Sequence, residues 1–236
     1  DFNADLGPNS LDQWDERRAQ QVREICRREG ISIGVHTSSA VNMAEVAPYV
    51  SEAVDRYLEE NIRLAGRLGA RWVVVHGGYH FSGDVERRKE AAIQRLKRAL
   101  GWAEEAGVPL WLENHNIEPQ DAEIHYMPHT IQECRWFFDR LTSPRLAWAF
   151  NMAHANLEPE GIEGFLEAFG VHNIGQVRVN DNRGFKEEHL VPGQGTIDFR
   201  AFFRRMAELG YAGPYTFAFG SDQDKVRALA EFLSYA

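Results

Sequence analysis

The chain has 236 residues, 44% of them apolar, and a formal charge of -9, which suits one large α/β domain with a substantial core and argues against a polyanion-binding face. Its cysteines, Cys26 and Cys134, lack CxxC spacing, which leaves little support for a thiolate metal site or a disulfide framework, and no apolar run is long enough to span a bilayer. The first residues, DFNADLGPNS, have neither the basic nor the apolar region of a leader, so a soluble, cytoplasmic protein is expected.

DFNAD reads as the tail of a strand, followed by a helix over residues 11–28. ISIGVH is the next strand and ends at His36. Over residues 47–68, Val54, Leu58, Ile62, Ala65 and Leu68 share one helical face, and Gly69 is placed to stop that helix before RWVVVH, a strand ending at His76. Tyr79, His80 and Phe81 follow Gly77 and Gly78, and read either as a mobile lip or as ordinary loop packing. A helix over 85–106, stopped by Gly107, precedes the strand PLWLEN with Glu113 near its end. The connection over 114–129 is long, polar and rich in histidine. A helix over 130–141 then stops at Ser-Pro and leads to LAWAFN, which ends at Asn151. The remaining elements are a helix over 161–169, the strand QVRVND ending at Asp181, a second long connection over 182–196, a helix over 198–209, the strand PYTFAF, and a last helix over 224–235.

Strands alternating with helices at this spacing predict an α/β fold of the TIM (β/α)8 type, in one domain covering residues 1–236. Counting DFNAD gives seven strands where a closed barrel has eight, so a first βα unit is expected to be missing at the N-terminus. In such a fold the strand C-termini surround one mouth, and the polar strand-end residues are expected there.

Among nine histidines, His36, His76, His115, His154 and His189 fall at or just past strand ends. Together with Glu113 they offer the imidazole and carboxylate donors that suit a divalent transition metal. Each histidine taken singly also reads as a hydrogen-bonded structural residue or a substrate contact. Asn151 and Asn180 read equally as caps or loop ties. Trp72, Trp102, Trp136, Phe137, Phe138, Phe202 and Phe203 lie on faces that should pack into the core.

The segments GVHTSSAVNMAEV, RWVVVHGG, WLENHN, AFNMAHANL and VRVNDNRGFKEEHLVPGQGTIDF resemble, in order, the motifs of the xylose isomerase-like TIM-barrel superfamily, which includes sugar-phosphate isomerases and epimerases and the endonuclease IV group. Its sugar-acting members hold one divalent ion, often manganese, magnesium, cobalt or zinc, with a Glu, an Asp, a His and a second Glu from four strand ends. The first matches Glu113; the others fall on Asn151, Arg178 and Ala218. The resemblance therefore implies a metal held by Glu113, Asn151 and His154, or no metal at all. A fixed cation at Arg178 opposes an ion in the usual place, since like unit charges a few ångströms apart repel by about 4 kcal/mol at an intermediate dielectric. His36, His76 and Glu113 also match one metal cluster of the endonuclease IV pattern. His154, Glu187 and His189 match another, with Glu in place of Asp, while the set that bridges them is broken.

The leading function implied is a sugar isomerase or epimerase acting on a small polyhydroxylated or keto substrate by proton transfer, with a lyase left open. Glu113 is then the base, with His189 and His154 as alternatives, and Arg178 or a metal is the electrophile. His36, His76, His154, Arg183 and Trp111 are carried over as substrate contacts. Arg178 reads alternatively as an ion-pair partner of Glu113 or Asp181. Loss of three expected ligands supports a non-catalytic protein that binds a sugar or sugar phosphate, or a subunit of a complex. An endonuclease IV-like phosphodiesterase is the third reading, and the acidic chain speaks against it. The expected partner is a small carbohydrate or sugar phosphate, with no nucleic acid and no membrane; a homo-oligomer is left open.

Overall fold

The structure, a computed structural model, describes residues 1–235. Two 3-10 turns, Gly7–Asn9 and Leu11–Gln13, lead into helix α1 (Glu16–Glu29), strand β1 (Val35–His36), α2 (Pro48–Leu68), β2 (Val73–Val75), β3 (Tyr79–Phe81), α3 (Val85–Ala106) and β4 (Leu110–Glu113). There follow β5 (Ile124–Tyr126), α4 (Ile131–Arg140), β6 (Leu146–Asn151), α5 (Met152–Ala155), α6 (Gly161–Phe169), β7 (Ile174–Val179), α7 (Phe199–Glu208), β8 (Tyr215–Phe217) and α8 (Asp222–Leu233). The α/β class and the βα order expected from the sequence are observed. No helix among the described residues is long and apolar enough to cross a membrane.

The chain packs as two compact units. The first comprises Asp1–Glu113, Glu123–Pro128 and Arg135–Ala147; the second comprises Asn114–Ala122, His129–Cys134 and the chain from Trp148 onward.

In the first unit β1, β2 and β4 are parallel, with His36 opposite Val74 and Val75 opposite Leu112. Phe2 adds a parallel bridge to Val35, so this part of DFNAD lies along β1. α2 buries Val54, Leu58, Ile62, Ala65 and Leu68 as its periodicity predicts, and Gly69, at φ 64°, ends it. Full burial of each large aliphatic side chain is worth about 1.5–3 kcal/mol. α3 carries a charge into this layer. Arg95, only 1% exposed, donates to Asp55 Oδ1 at 2.7 Å and to Ser51 Oγ at 2.6 Å, and so ties α3 to α2.

Three elements of this unit differ from the sequence expectation. Only Val35 and His36 of ISIGVH join the ladder. The Trp72 indole lies where a Cβ on Gly34 would be, 1.9 Å from its Nε1, so the approach to β1 is shaped by that ring. The helix expected from residue 11 starts at Glu16, because Asp15 caps it by accepting from Arg18 N at 2.7 Å. Tyr79–Phe81 form neither a lip nor a plain loop: β3 pairs antiparallel with β5. Gly77 permits this, since a Cβ there would stand 2.4 Å from Met127 O.

In the second unit the residues of β6 from Trp148 run parallel to β7, and β7 runs parallel to β8; Asn151 is opposite Arg178, and Arg178 opposite Thr216. Trp148, Phe150 and Phe165 are fully or almost fully buried and in mutual ring contact. Phe199, Phe203 and Phe217 gather on Phe232 of α8.

Candidate functional site

In the first unit, the parallel register puts the residues just past Val75 and Leu112, His76 and Glu113, at the same height. His36 ends the neighbouring strand. His36 Nε2 lies 3.0 Å and His76 Nε2 3.6 Å from Glu113 Oε2, and the two rings meet edge to face at 5.0 Å. One donor atom from each residue falls within 4.8 Å of the others. The side chains of His76 and Glu113 are 3% and 4% exposed, that of His36 20%. Ligands about 2.0–2.1 Å from a tetrahedral zinc stand roughly 3.3 Å apart, and the observed 3.0 and 3.6 Å bracket that spacing. The three residues thus fit a divalent ion in donor type, spacing and burial.

Trp111 shares the face of Glu113 two residues earlier. It stacks on Trp72 at 4.6 Å and is 9% exposed, so the structure places it in a packing layer beneath the cluster.

In the second unit, Asn151 ends β6 and caps α5, its Oδ1 accepting from Ala153 N and His154 N at 3.2 Å. That oxygen is engaged as a cap, the alternative reading of a strand-end amide. Asn114 holds Asn151 from both sides: its Nδ2 donates to Asn151 O at 3.0 Å and its Oδ1 accepts from Asn151 N at 2.9 Å.

His154 Nδ1 donates to Asn114 O at 2.7 Å, which turns Nε2 toward Glu187 Oε1 at 2.8 Å. His189 repeats the arrangement, with Nδ1 donating to Ala218 O at 2.8 Å and Nε2 2.7 Å from the same Glu187 oxygen. Burial alone would raise the Glu187 carboxyl, but the hydrogen bonds and charges of His154 and His189 outweigh it and hold the group well below the usual carboxylate range. The Glu187 hydrogen bond raises His189 above the ordinary imidazole value, against the opposing effects of burial and of the Arg178 charge. His189 adopts φ 50°, a left-handed backbone that costs a non-glycine residue about 1–3 kcal/mol.

The structure brings His36, His76 and Glu113 together, and His154 with His189 through Glu187. Arg183, expected to contact substrate, pairs inside its own loop with Glu188, and its backbone N–H reaches Glu188 Oε2 at 3.0 Å. Arg178 is partly exposed on β7.

Sequence reasoning missed what holds the 182–196 loop. The buried Asp181 carboxylate accepts four backbone N–H groups: Asn182 at 2.9 Å and Ile197 at 3.3 Å on Oδ1, Gly193 at 3.0 Å and Gly195 at 2.8 Å on Oδ2. A Cβ on Gly195 would stand 2.2 Å from Asn182 O, which is why glycine occupies that place. The run NDN followed by GQG was the available signal: a carboxylate next to a segment rich in free N–H groups.

Residues 3–235 match the family described as xylose isomerase-like TIM barrel. An uncharacterized protein of Methanocaldococcus jannaschii is 26% identical over 226 residues, covering 92% of this chain and 75% of that protein. A probable endonuclease 4 of Thermotoga maritima is 21% identical over 216 residues, 83% of this chain and 74% of its own length. Among solved structures, a D-tagatose 3-epimerase-like protein superposes with a TM-score of 0.84 at 25% identity, over 98% of this chain and 86% of that one.

Proposed function

The chain belongs to the xylose isomerase-like TIM-barrel family, and from that membership we propose that it is an isomerase or epimerase that moves a proton on a small polyhydroxylated carbonyl compound with the help of a divalent ion. The observation that carries this reading is the approach of His36 Nε2 and His76 Nε2 to Glu113 Oε2, with one donor atom of each residue within 4.8 Å of the others. Those three residues would hold the ion. When bound, it would polarise a substrate carbonyl and ease loss of the adjacent proton.

The chain's own groups support the remainder. Burial of His76 and Glu113 keeps water from competing for the donor atoms. His189, favoured in its protonated form by Glu187, can give or take a proton at Nε2, and the fixed aim of both His154 and His189 onto Glu187 keeps that proton in place. The Arg178 guanidinium suits a developing oxyanion. Likeness to a D-tagatose 3-epimerase-like protein agrees with sugar chemistry.

The test is elemental analysis of protein purified without chelator, repeated on Glu113→Ala, with deuterium uptake from heavy water into ketohexoses as the activity readout. A stoichiometric transition metal absent from the variant, with deuterium entering carbon only in the natural chain, is expected. Metal retained undiminished by Glu113→Ala would sink the assignment.

A phosphodiesterase reading has one observation in its favour, the second cluster His154, Glu187 and His189, together with relatives described as probable endonuclease 4. Metal-dependent cleavage of duplex DNA by the purified chain would establish it. Engagement of Asn151 as a helix cap favours a non-catalytic sugar-binding descendant instead, and binding of ketohexose without deuterium uptake would point there.

A further inference from the structure

The second unit holds a cavity of about 550 Å³ lined by α7, β8 and α8, inside the range of about 300–1,000 Å³ usual for small-molecule sites. Its wall is apolar. Phe203, Phe217 and Phe232 form one ring cluster, and Leu229 and Leu233 complete the lining from α8. Those two leucines lie one helical turn apart and are 48% and 68% exposed, so the apolar wall runs out to the surface. A single exposed leucine is ordinary, whereas a pair that continues a cavity wall marks a place where something apolar binds.

Two polar groups stand in that wall. Arg204 of α7 lines the cavity, is exposed, and makes no ion pair or hydrogen bond among the described residues. Its neighbour Arg205, in contrast, pairs with Glu163. Tyr215 opens β8 and lines the same cavity. Its ring meets that of Phe203 at 5.0 Å, while its hydroxyl has no hydrogen-bond partner among the described residues. Burial pushes this phenol up to about 12, so it keeps its proton at neutral pH and can donate.

A guanidinium and a phenol are both donors, and no acidic residue lines the cavity. Their complement is an anion with more than one acceptor oxygen, joined to hydrocarbon. A sugar would find too few polar groups for its hydroxyls, a cationic amphiphile would meet Arg204, and an apolar protein helix would cover the leucines but strand the guanidinium.

We infer that this cavity binds a free aliphatic carboxylate, its head held by Arg204 and Tyr215 and its chain packed on Phe203, Phe217, Phe232, Leu229 and Leu233. The site shares no residue with either histidine cluster, and the inference stands apart from the isomerase reading.

Isothermal titration calorimetry on the full chain at neutral pH, with decanoate, decyltrimethylammonium and butyrate, tests it. One decanoate per chain is expected, bound at least tenfold more tightly than decyltrimethylammonium, which has the same tail and the opposite charge, and than butyrate, which has the same head and little tail. Arg204→Gln should weaken decanoate at least tenfold, and Tyr215→Phe three- to tenfold. Ala207→Phe, which fills the cavity from an exposed position on α7, should abolish binding. Circular dichroism and thermal melting confirm that the two variants at exposed positions stay folded. Absence of decanoate binding, equal affinity for the two decyl compounds, or decanoate unmoved by Arg204→Gln each overturns the inference; the second is what an unselective apolar surface would give. An oligomer of the natural chain in sedimentation that Leu233→Glu dissociates also overturns it, because a second copy would then cover this face.

Discussion

Replacing Asp181 with alanine removes the acceptor of four backbone N–H groups at once. They will not all suffer equally. Gly193 is exposed and Gly195 partly so, and water can replace the carboxylate there; Asn182 and Ile197 are buried and would be left unsatisfied. A stranded buried N–H costs about 1–3 kcal/mol, and a bond to a charged acceptor contributes about 1.5–3 kcal/mol net. Two stranded groups and two hydrated ones give a destabilisation of about 3–5 kcal/mol, a large share of the roughly 5–15 kcal/mol that holds a typical domain. Asp181→Asn keeps one oxygen and turns an amide N–H toward two donors, so it should lose about 2–3 kcal/mol by the same scale. Urea unfolding followed by far-UV circular dichroism measures both. Amide exchange at Gly193, Gly195 and Ile197 should accelerate in step, since these bonds close the loop. A loss below about 1 kcal/mol for Asp181→Ala, with an unchanged urea slope and unchanged exchange at Ile197, would refute the reasoning.

Gly195→Ala should be as harmful as losing the carboxylate, because the added Cβ meets backbone that cannot swing away; a drop of more than about 2 kcal/mol in the same unfolding assay is expected. Arg95→Met should cost about 2–4 kcal/mol, since it leaves the loop carbonyls of Met43 and Glu45 without the guanidinium that serves them, while Asp55 keeps its pairing with Arg98; a near-neutral result would mean the α2–α3 layer closes without it. In chelator-treated protein, Glu187 is shifted down and His189 up. The Glu187 contribution is present above its unfolded value near 4.3 and is lost as pH falls through the lower folded value. That of His189 is present below about 6.5 and is lost as pH rises through its raised folded value. Stability measured across pH should therefore decline on the alkaline side of about 6.5, and Glu187→Gln should flatten that decline.

Periodicity made the helices legible. α2 shows this, since five apolar residues at helical spacing and one glycine stop carried its whole assignment. Strand ends were legible from a short apolar run that closes on a polar residue, as before His76 and at Glu113, although β7 stops at Val179, two residues short of the expected Asp181. The β3–β5 ribbon was not legible, because three-residue strands are too short for a period to register, and their pairing depends on the bare backbone of Gly77. The extent of β1 was set by Trp72, which is distant in sequence from the residues it constrains. At the site, residue type disclosed the donors, and the resemblance grouped His36, His76 and Glu113. The two fates that residue type could not separate were those of Asn151 and Arg183, whose polar groups are engaged within a few residues of themselves. A side chain that serves its own loop looks in the sequence like one that serves a ligand.

Both imidazoles that meet Glu187 are steered by peptide oxygens, those of Asn114 and Ala218. Every amino acid carries that oxygen. The aim of the His189 ring is therefore insulated from mutation at the residue that provides it, and position 218 is free to drift without disturbing it, whereas the Asn114 side chain also holds Asn151. Descendants of this chain can rewrite the chemistry of that strand end while inheriting an already pointed histidine, and an inventory of shared side chains will overlook the group that does the pointing.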